Sequence, residues 1–176
     1  MIQYKKYYMP GTKEELLKTI DTIDCTYDIL AGGTDLYAKE KTPFNGADAA
    51  IDISGIKEFS VIKLKKEEGL ITFGSNICIQ QFLEEKVLME NVPILRHAAI
   101  YFADQQIREM ATVGGNVANS SPSGDTIAPL TALEAVIHTI TSKDNKICEK
   151  ETPITEFITG CLLYTSPSPR DVEESR

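Results

Sequence analysis

Two glycine pairs carry the residues best suited to chemistry in this 176-residue chain. The first stands in "ILAGGTDL", where Gly32, Gly33 and Thr34 follow Tyr27–Ala31, a stretch that reads as a buried strand. Successive glycines let backbone N–H groups converge on an anion, and a helix starting at that point would add a partial positive charge. The same glycines would equally serve an ordinary tight turn from strand to helix. The second pair stands in "ATVGGNVANSSPSGDT", Ala111 to Thr126, which contains one charge, Asp125, and the polar groups of Thr112, Asn116, Asn119, Ser120 and Ser123. Small residues give a core little to bury, and glycine costs backbone entropy on folding, so a close approach to this backbone is expected. A long flexible loop is the competing reading, but Val113 and Val117 imply anchorage. Two anion-cradling loops suit a pyrophosphate, and Asp125 suits a sugar or ribityl hydroxyl. Neither pair fits G-x-G-x-x-G or a P-loop, and no lysine follows the glycines, which argues against a Rossmann or ATPase assignment.

Other reactive side chains have weaker patterns. His97 and His138 lack a nucleophile nearby in sequence. Asp21, Asp24 and Asp28 lack the glycine and terminal glutamate of a calcium loop and read as a solvated edge. Lys63, Lys65 and Lys66 alternate with apolar residues as the wet face of a strand would. Cys25, Cys78, Cys148 and Cys161 are widely separated, with no C-x-x-C spacing for zinc or an iron–sulfur cluster, and read as free thiols.

The elements that must position the glycine pairs are legible. Thr12 and Glu15 form a capping box ahead of a first helix. Tyr27–Ala31 and Ala49–Ser54 read as short buried strands, so residues 1–56 form a small unit of alternating helix and strand. Beyond it, "FSVIKLKKEEGLITFGS" predicts an antiparallel hairpin turning at Glu67–Gly69. "CIQQFLEE" and "PILRHAAIYF" have helical spacing, with Pro93 in a first turn. "IAPLTALEA" predicts another short helix, and "AVIHTIT", a turn at "SKDN" and "KICEKE" predict a second hairpin. Residues 57–160 therefore form a second unit with antiparallel sheet.

Composition narrows the function classes. With 18 Lys and Arg against 26 Asp and Glu, the net charge is -8, and no basic stripe for nucleic acid is visible. No apolar run approaches the roughly 18 residues a membrane helix needs, and no signal-peptide segment is apparent, so a cytoplasmic protein is expected.

The combination "ILAGGTDL" with "YFADQQIREMATVGGNVANSSPSGDT" resembles the FAD-binding subunit or domain of the molybdenum hydroxylases, the family of xanthine dehydrogenase and the medium subunit of carbon monoxide dehydrogenase. The specific element is I-R-x-x-A-T-V-G-G-N-x-x-N-x-S-P-x-x-D. The resemblance spans residues 1 to about 160. It implies an α+β fold of two subdomains, the first with a parallel sheet and the second with an antiparallel one, and FAD between them. Carried onto this chain, it implies that Ile29, Leu30, Ala31, Gly32, Gly33, Thr34, Asp35 and Leu36 wrap one side of the pyrophosphate. Thr112, Gly114, Gly115 and Asn116 would hold the other side, and Asp125 would bind a cofactor hydroxyl. Phe102 and Ala103 match positions near the cofactor, and Ala111, Ala118, Asn119 and Gly124 match positions lining its groove.

The implied activity is electron relay. In the family a molybdopterin subunit oxidises the substrate, an iron–sulfur subunit carries the electrons, and FAD passes them to an acceptor such as NAD. No side chain need act as general acid or base, and no metal ligand is expected in this chain. A nucleotide- or phosphosugar-binding module using the same loops is the alternative, as is a stand-alone FAD oxidoreductase. Residues 161–176, "CLLYTSPSPRDVEESR", depart from the family pattern and read as a disordered tail, resembling a translated sequencing adapter. A residue packing on the flavin ring and a basic residue near it lie beyond this point in the family, so weak FAD binding is expected of the chain as written.

Overall fold

The computed structural model describes residues 4–38, 46–121, 124–143 and 146–158. The expected tail, Ser123 and the Asp144–Asn145 tip of the second hairpin lie outside these.

The first part of the chain builds a three-stranded parallel sheet in the order β1–β3–β2, from β1 (Lys6–Tyr8), β2 (Tyr27–Leu30) and β3 (Ala49–Asp52). The middle strand β3 is the most apolar, and its Ala49, Ala50 and Ile51 are buried completely, as expected for a strand covered on both faces. Helix α1 (Lys13–Thr22) crosses from β1 to β2. One half of its capping box forms, the Thr12 hydroxyl accepting from Glu15 N–H at 3.2 Å, while the Glu15 carboxylate accepts from Gly11 N–H, one residue before the cap, at 2.7 Å. Leu16 then packs with Ile51 and Ile56 in a small core that also takes in Ile20, Tyr27 and Phe59. A completely buried Ile such as Ile51 contributes about 2 kcal/mol relative to exposure.

Beyond Ile56 the architecture changes to antiparallel hairpins and short helices. β4 (Ile62–Lys65) pairs with β5 (Leu70–Phe73) through a 3-10 turn at Lys66–Glu68, closed by Gly69 in the left-handed region at φ 62°. Lys63 and Lys65 face water, as their alternation predicts. Five helices follow: α3 (Gln81–Glu84), α4 (Lys86–Asn91), α5 (Pro93–Tyr101), α6 (Gln105–Met110) and α7 (Val113–Asn119). Then come α8 (Ile127–Ala132), the long hairpin β6 (Val136–Lys143) with β7 (Lys146–Pro153), and α9 (Ile154–Phe157). A larger core unites Ile77, Phe82, Leu88, Leu95, Val113, Val117, Leu130 and Ile154, with Phe73 set edge-on to Phe82 at 5.5 Å.

The two parts are not independent. Ile140 of β6 packs against the first core, and Lys13 of α1 pairs with Glu149 of β7. Among the described residues no helix is long and apolar enough to cross a membrane.

Candidate functional site

The first glycine pair sits where β2 leaves the parallel sheet. Leu30 is buried and its carbonyl accepts from Ile53 N–H at 2.8 Å, so the sheet holds the chain firmly up to that residue. Gly33 then turns the backbone at φ 67°, a left-handed conformation that a Cβ disfavours. Helix α2 (Thr34–Ala38) begins immediately, but it has only five residues, so its dipole adds little to anion binding. Backbone donors matter more. Among the described residues, the N–H groups of Gly32 and Gly33 donate to no protein acceptor.

The second pair is held differently. The stretch expected as a loop is helical from Val113 to Asn119, capped by the Thr112 hydroxyl, which accepts from Gly115 N–H at 3.0 Å. Buried Val113 and Val117 explain the correction, because they lie four residues apart on the face turned to the large core. A segment of two turns around the isolated Cys78–Thr112 bridge fastens this helix. Ile79 N–H donates to the Ala111 carbonyl, Val113 N–H to the Ile77 carbonyl, and Gly114 N–H to the Ser75 carbonyl, each at 2.9 Å. A Cβ on Gly114 would lie 2.5 Å from the Ser75 Cβ and 2.7 Å from its carbonyl oxygen. The close approach that Gly114 permits is therefore to the protein's own backbone. At Gly115 a Cβ would meet the Thr112 hydroxyl at 3.0 Å and no other described neighbour outside the helix backbone.

The fold brings the two motifs into contact. A Cβ on Gly32 would lie 1.8 Å from the Met110 carbonyl oxygen and 3.2 Å from the Ala111 Cα. Gly32 thus lets the first turn rest directly on the junction between α6 and α7. Asp125 joins the same region through its neighbour: the Thr126 hydroxyl donates to Asn116 Oδ1 at 2.5 Å, with Thr126 N–H at 3.3 Å. This commits the Asn116 oxygen and leaves its amide nitrogen as the donating end. Asp125 itself is exposed.

The remaining predicted residues divide by exposure. Ala31, Thr34, Asp35, Leu36, Ala118, Asn119 and Gly124 are half-buried, and Ile29 and Ala103 are exposed. Phe102, Ala111 and Thr112 are buried, and Phe102 and Ala111 belong to the large core. Phe102 therefore presents backbone, with its ring committed to packing. Ala103 adopts φ 34°, uncommon for a residue with a Cβ.

Four residues of this region had no functional reading in the sequence: Ser75, Asn76, Arg108 and Thr126. Asn76 ties the fastening segment to the parallel sheet, its amide donating to the Ile53 carbonyl at 2.7 Å while its buried oxygen accepts from no described residue. Arg108 lies inside the I-R-x-x-A-T motif, the one signal that could have found it. At Cys78, which faces Thr112 across an isolated bridge, burial, reinforced by the charge of Glu109, pushes the thiol's pKa above the ordinary range. Of the two histidines, His97 stacks edge-on to Tyr101 at 5.3 Å, and His138 faces Glu151 at 3.5 Å on the exposed face of the second hairpin.

This geometry is an α+β cofactor fold with a glycine turn seated on a capped helix. The chain matches the family described as FAD binding domain in molybdopterin dehydrogenase over residues 2–168, and it belongs to that family. It is 32% identical over 133 residues to the nicotinate dehydrogenase FAD-subunit of Eubacterium barkeri, covering 75% of this chain and 44% of that protein. It is 30% identical over 132 residues to the putative xanthine dehydrogenase FAD-binding subunit of Escherichia coli, covering 75% and 44%. Carbon monoxide dehydrogenase from Hydrogenophaga pseudoflava superposes with a TM-score of 0.78 at 23% identity, over 92% of this chain and 54% of that one. That likeness establishes the fold. The chain spans about half the length of the relatives it matches. FAD is the cofactor of the family, and the undonated N–H groups of Gly32 and Gly33 fit the acceptor-rich pyrophosphate it carries.

Proposed function

We propose that this chain is the FAD-binding part of a molybdenum hydroxylase, relaying electrons from an iron–sulfur subunit through FAD to an acceptor such as NAD. The molybdopterin-binding subunit of the same complex would oxidise the substrate. The observation that carries this reading is the seating of the Gly32–Gly33 turn, with its two undonated N–H groups, on the Met110–Ala111 backbone in a chain of this family. The names of the relatives support it, since they include FAD subunits and medium chains of dehydrogenases.

In this reading the stretch Ile29–Leu36 holds one side of the pyrophosphate, with Gly32 and Gly33 donating through the backbone. Thr112, Gly115 and Asn116 address the other side through side chains and the open face of Gly115. The backbone donors from Val113 to Asn116 are already spent within the protein. Gly114 contributes by letting α7 close on Ser75. Asp125, exposed and acidic, accepts from a cofactor hydroxyl, and Phe102, Ala103, Ala111, Ala118, Asn119 and Gly124 shape the groove. Bound FAD supplies the redox chemistry, and the protein supplies position and electrostatics. Residues 1–56 and 57–160 act as the two walls.

The test is a titration of the purified chain with FAD, followed by quenching of flavin fluorescence, with FMN titrated alongside and ADP binding measured by calorimetry. Saturable quenching by FAD, tighter than by FMN, is the expected result. Equal affinity for ADP and FAD would favour a nucleotide-binding module without a redox role. No uptake of FAD, FMN or ADP by folded protein would sink the proposal.

A further inference from the structure

Arg108 of α6 is half-buried, yet among the described residues it makes no ion pair with a carboxylate. Its guanidinium is spent on neutral acceptors. Nη1 donates to the Phe102 carbonyl at 2.9 Å and to the Ala103 carbonyl at 3.0 Å, while Nε donates to Gln80 Oε1 at 2.9 Å. The contact with Gln80 is reciprocal, because Gln80 N–H donates to the Arg108 carbonyl at 3.0 Å. Gln80 is itself oriented by its amide, which donates to Glu84 at 2.7 Å. One planar fork therefore joins the start of α3, the chain at 102–103 and the body of α6. Lysine, with a single nitrogen, cannot span these three acceptors.

This clamp acts on two features of the cofactor site at once. The carbonyls it captures flank Ala103, whose left-handed φ of 34° is unfavourable for an L residue and needs to be held. A trans peptide carries its N–H opposite its carbonyl, and no peptide here is cis. Turning the Phe102 and Ala103 carbonyls toward Arg108 therefore turns the Ala103 and Asp104 N–H groups away from it, and neither donates to a described residue. Two residues further along, Met110 offers the carbonyl on which Gly32 rests.

We propose that Arg108 is a positioning residue for the cofactor: it holds the Phe102–Asp104 backbone in its left-handed turn and α6 beneath Gly32, in the arrangement that FAD meets. This rests on the flavin-binding reading above. The experiment titrates the 176-residue chain with FAD and records the visible circular dichroism of the bound flavin, for the native protein, R108K, R108M and the double variant A103G/R108K. R108K is expected to weaken FAD binding about tenfold, the loss of one or two charge-assisted hydrogen bonds, and to alter the flavin dichroism. A103G/R108K is expected to recover part of that loss, since glycine takes the left-handed turn unaided. If R108M does not fold, R108K and its double variant decide the matter. Native affinity and dichroism in R108K would overturn the proposal, and so would a loss of affinity with unchanged dichroism and no rescue by A103G, which marks a merely structural arginine. Failure of the native chain to bind FAD would instead overturn the flavin reading itself.

Discussion

At Gly32–Gly33 the chain leaves a parallel strand with two backbone N–H groups that donate to no described residue, whereas at Gly114–Gly115 every N–H from Val113 to Asn116 is donated within the protein. The sequences of the two pairs look alike, and their surroundings differ. A side chain on Gly32 would strike the Met110 carbonyl, across the seam between the two motifs, and one on Gly114 would strike Ser75, inside a single packed layer. The first pair joins two parts of the molecule, and its donors find no acceptor among the described residues. The second pair is mostly architecture, with Gly115 its open member. A glycine's absent side chain can thus serve the protein's own packing as readily as a ligand.

The sharpest way to break this comparison is to fill each space in turn. G114A is expected to destabilise the protein by about 3 kcal/mol, because its Cβ meets backbone that cannot swing away, whereas G115A should cost less than about 1 kcal/mol. Thermal melts without ligand would check both, and equal losses would end the distinction. G32A should cost at least as much, about 3 kcal/mol, because its Cβ would lie 1.8 Å from the Met110 carbonyl oxygen; it also lifts the turn off Met110, so that flavin affinity falls together with the melting temperature.

D125A sharpens the comparison from the ligand side. Asp125 is exposed, so stability should stay within about 0.5 kcal/mol of the native value. FAD affinity, read by fluorescence titration, should fall about tenfold through the loss of one charge-assisted hydrogen bond.

The smallest effect is expected on the parallel sheet. At Asp52 burial alone would raise the carboxyl's pKa, but donation from Ser54 N–H at 2.9 Å and from the Tyr7 hydroxyl at 2.7 Å outweighs it, and the pKa lies below the ordinary range. A depressed carboxyl stabilises the fold above its unfolded pKa, near 4, and that stability is lost as pH falls through the folded value. Y7F removes one donor and moves the folded pKa toward the unfolded value, so stability at neutral pH should fall by less than about 1 kcal/mol, solvent screening of this partly exposed carboxyl included. The difference from the native protein should vanish once the pH is below both values. An acid titration followed by circular dichroism would show it.

Much of this organisation is legible in the residues. The helix cap at Thr12, the β2 and β3 strands, the Glu67–Gly69 turn and Pro93 at a helix start all rest on interactions within a few residues, and each appears where local pattern places it. Helix α7 was hidden because two glycines and no large side chain give it poor intrinsic propensity. Its stability comes from Thr112 as cap and from the segment 75–79, more than thirty residues earlier in the chain. Short α4 and α9 are too brief to show a helical period, and their buried Leu88 and Ile154 are anchored by the large core.

The sequence alone determined which residues could approach a backbone closely: glycines at 32, 33, 114 and 115, with an acid at 125 and a motif specific enough to name a family. That information is local, carried by side-chain size and spacing. Only the tertiary structure decided what each close approach is for. Whether the space beside a glycine is filled by Met110, by Ser75 or left open depends on segments distant in the chain, brought together by core packing and backbone pairing. The same holds for Arg108, whose partner Gln80 becomes its partner only when the residue before α3 is folded against α6.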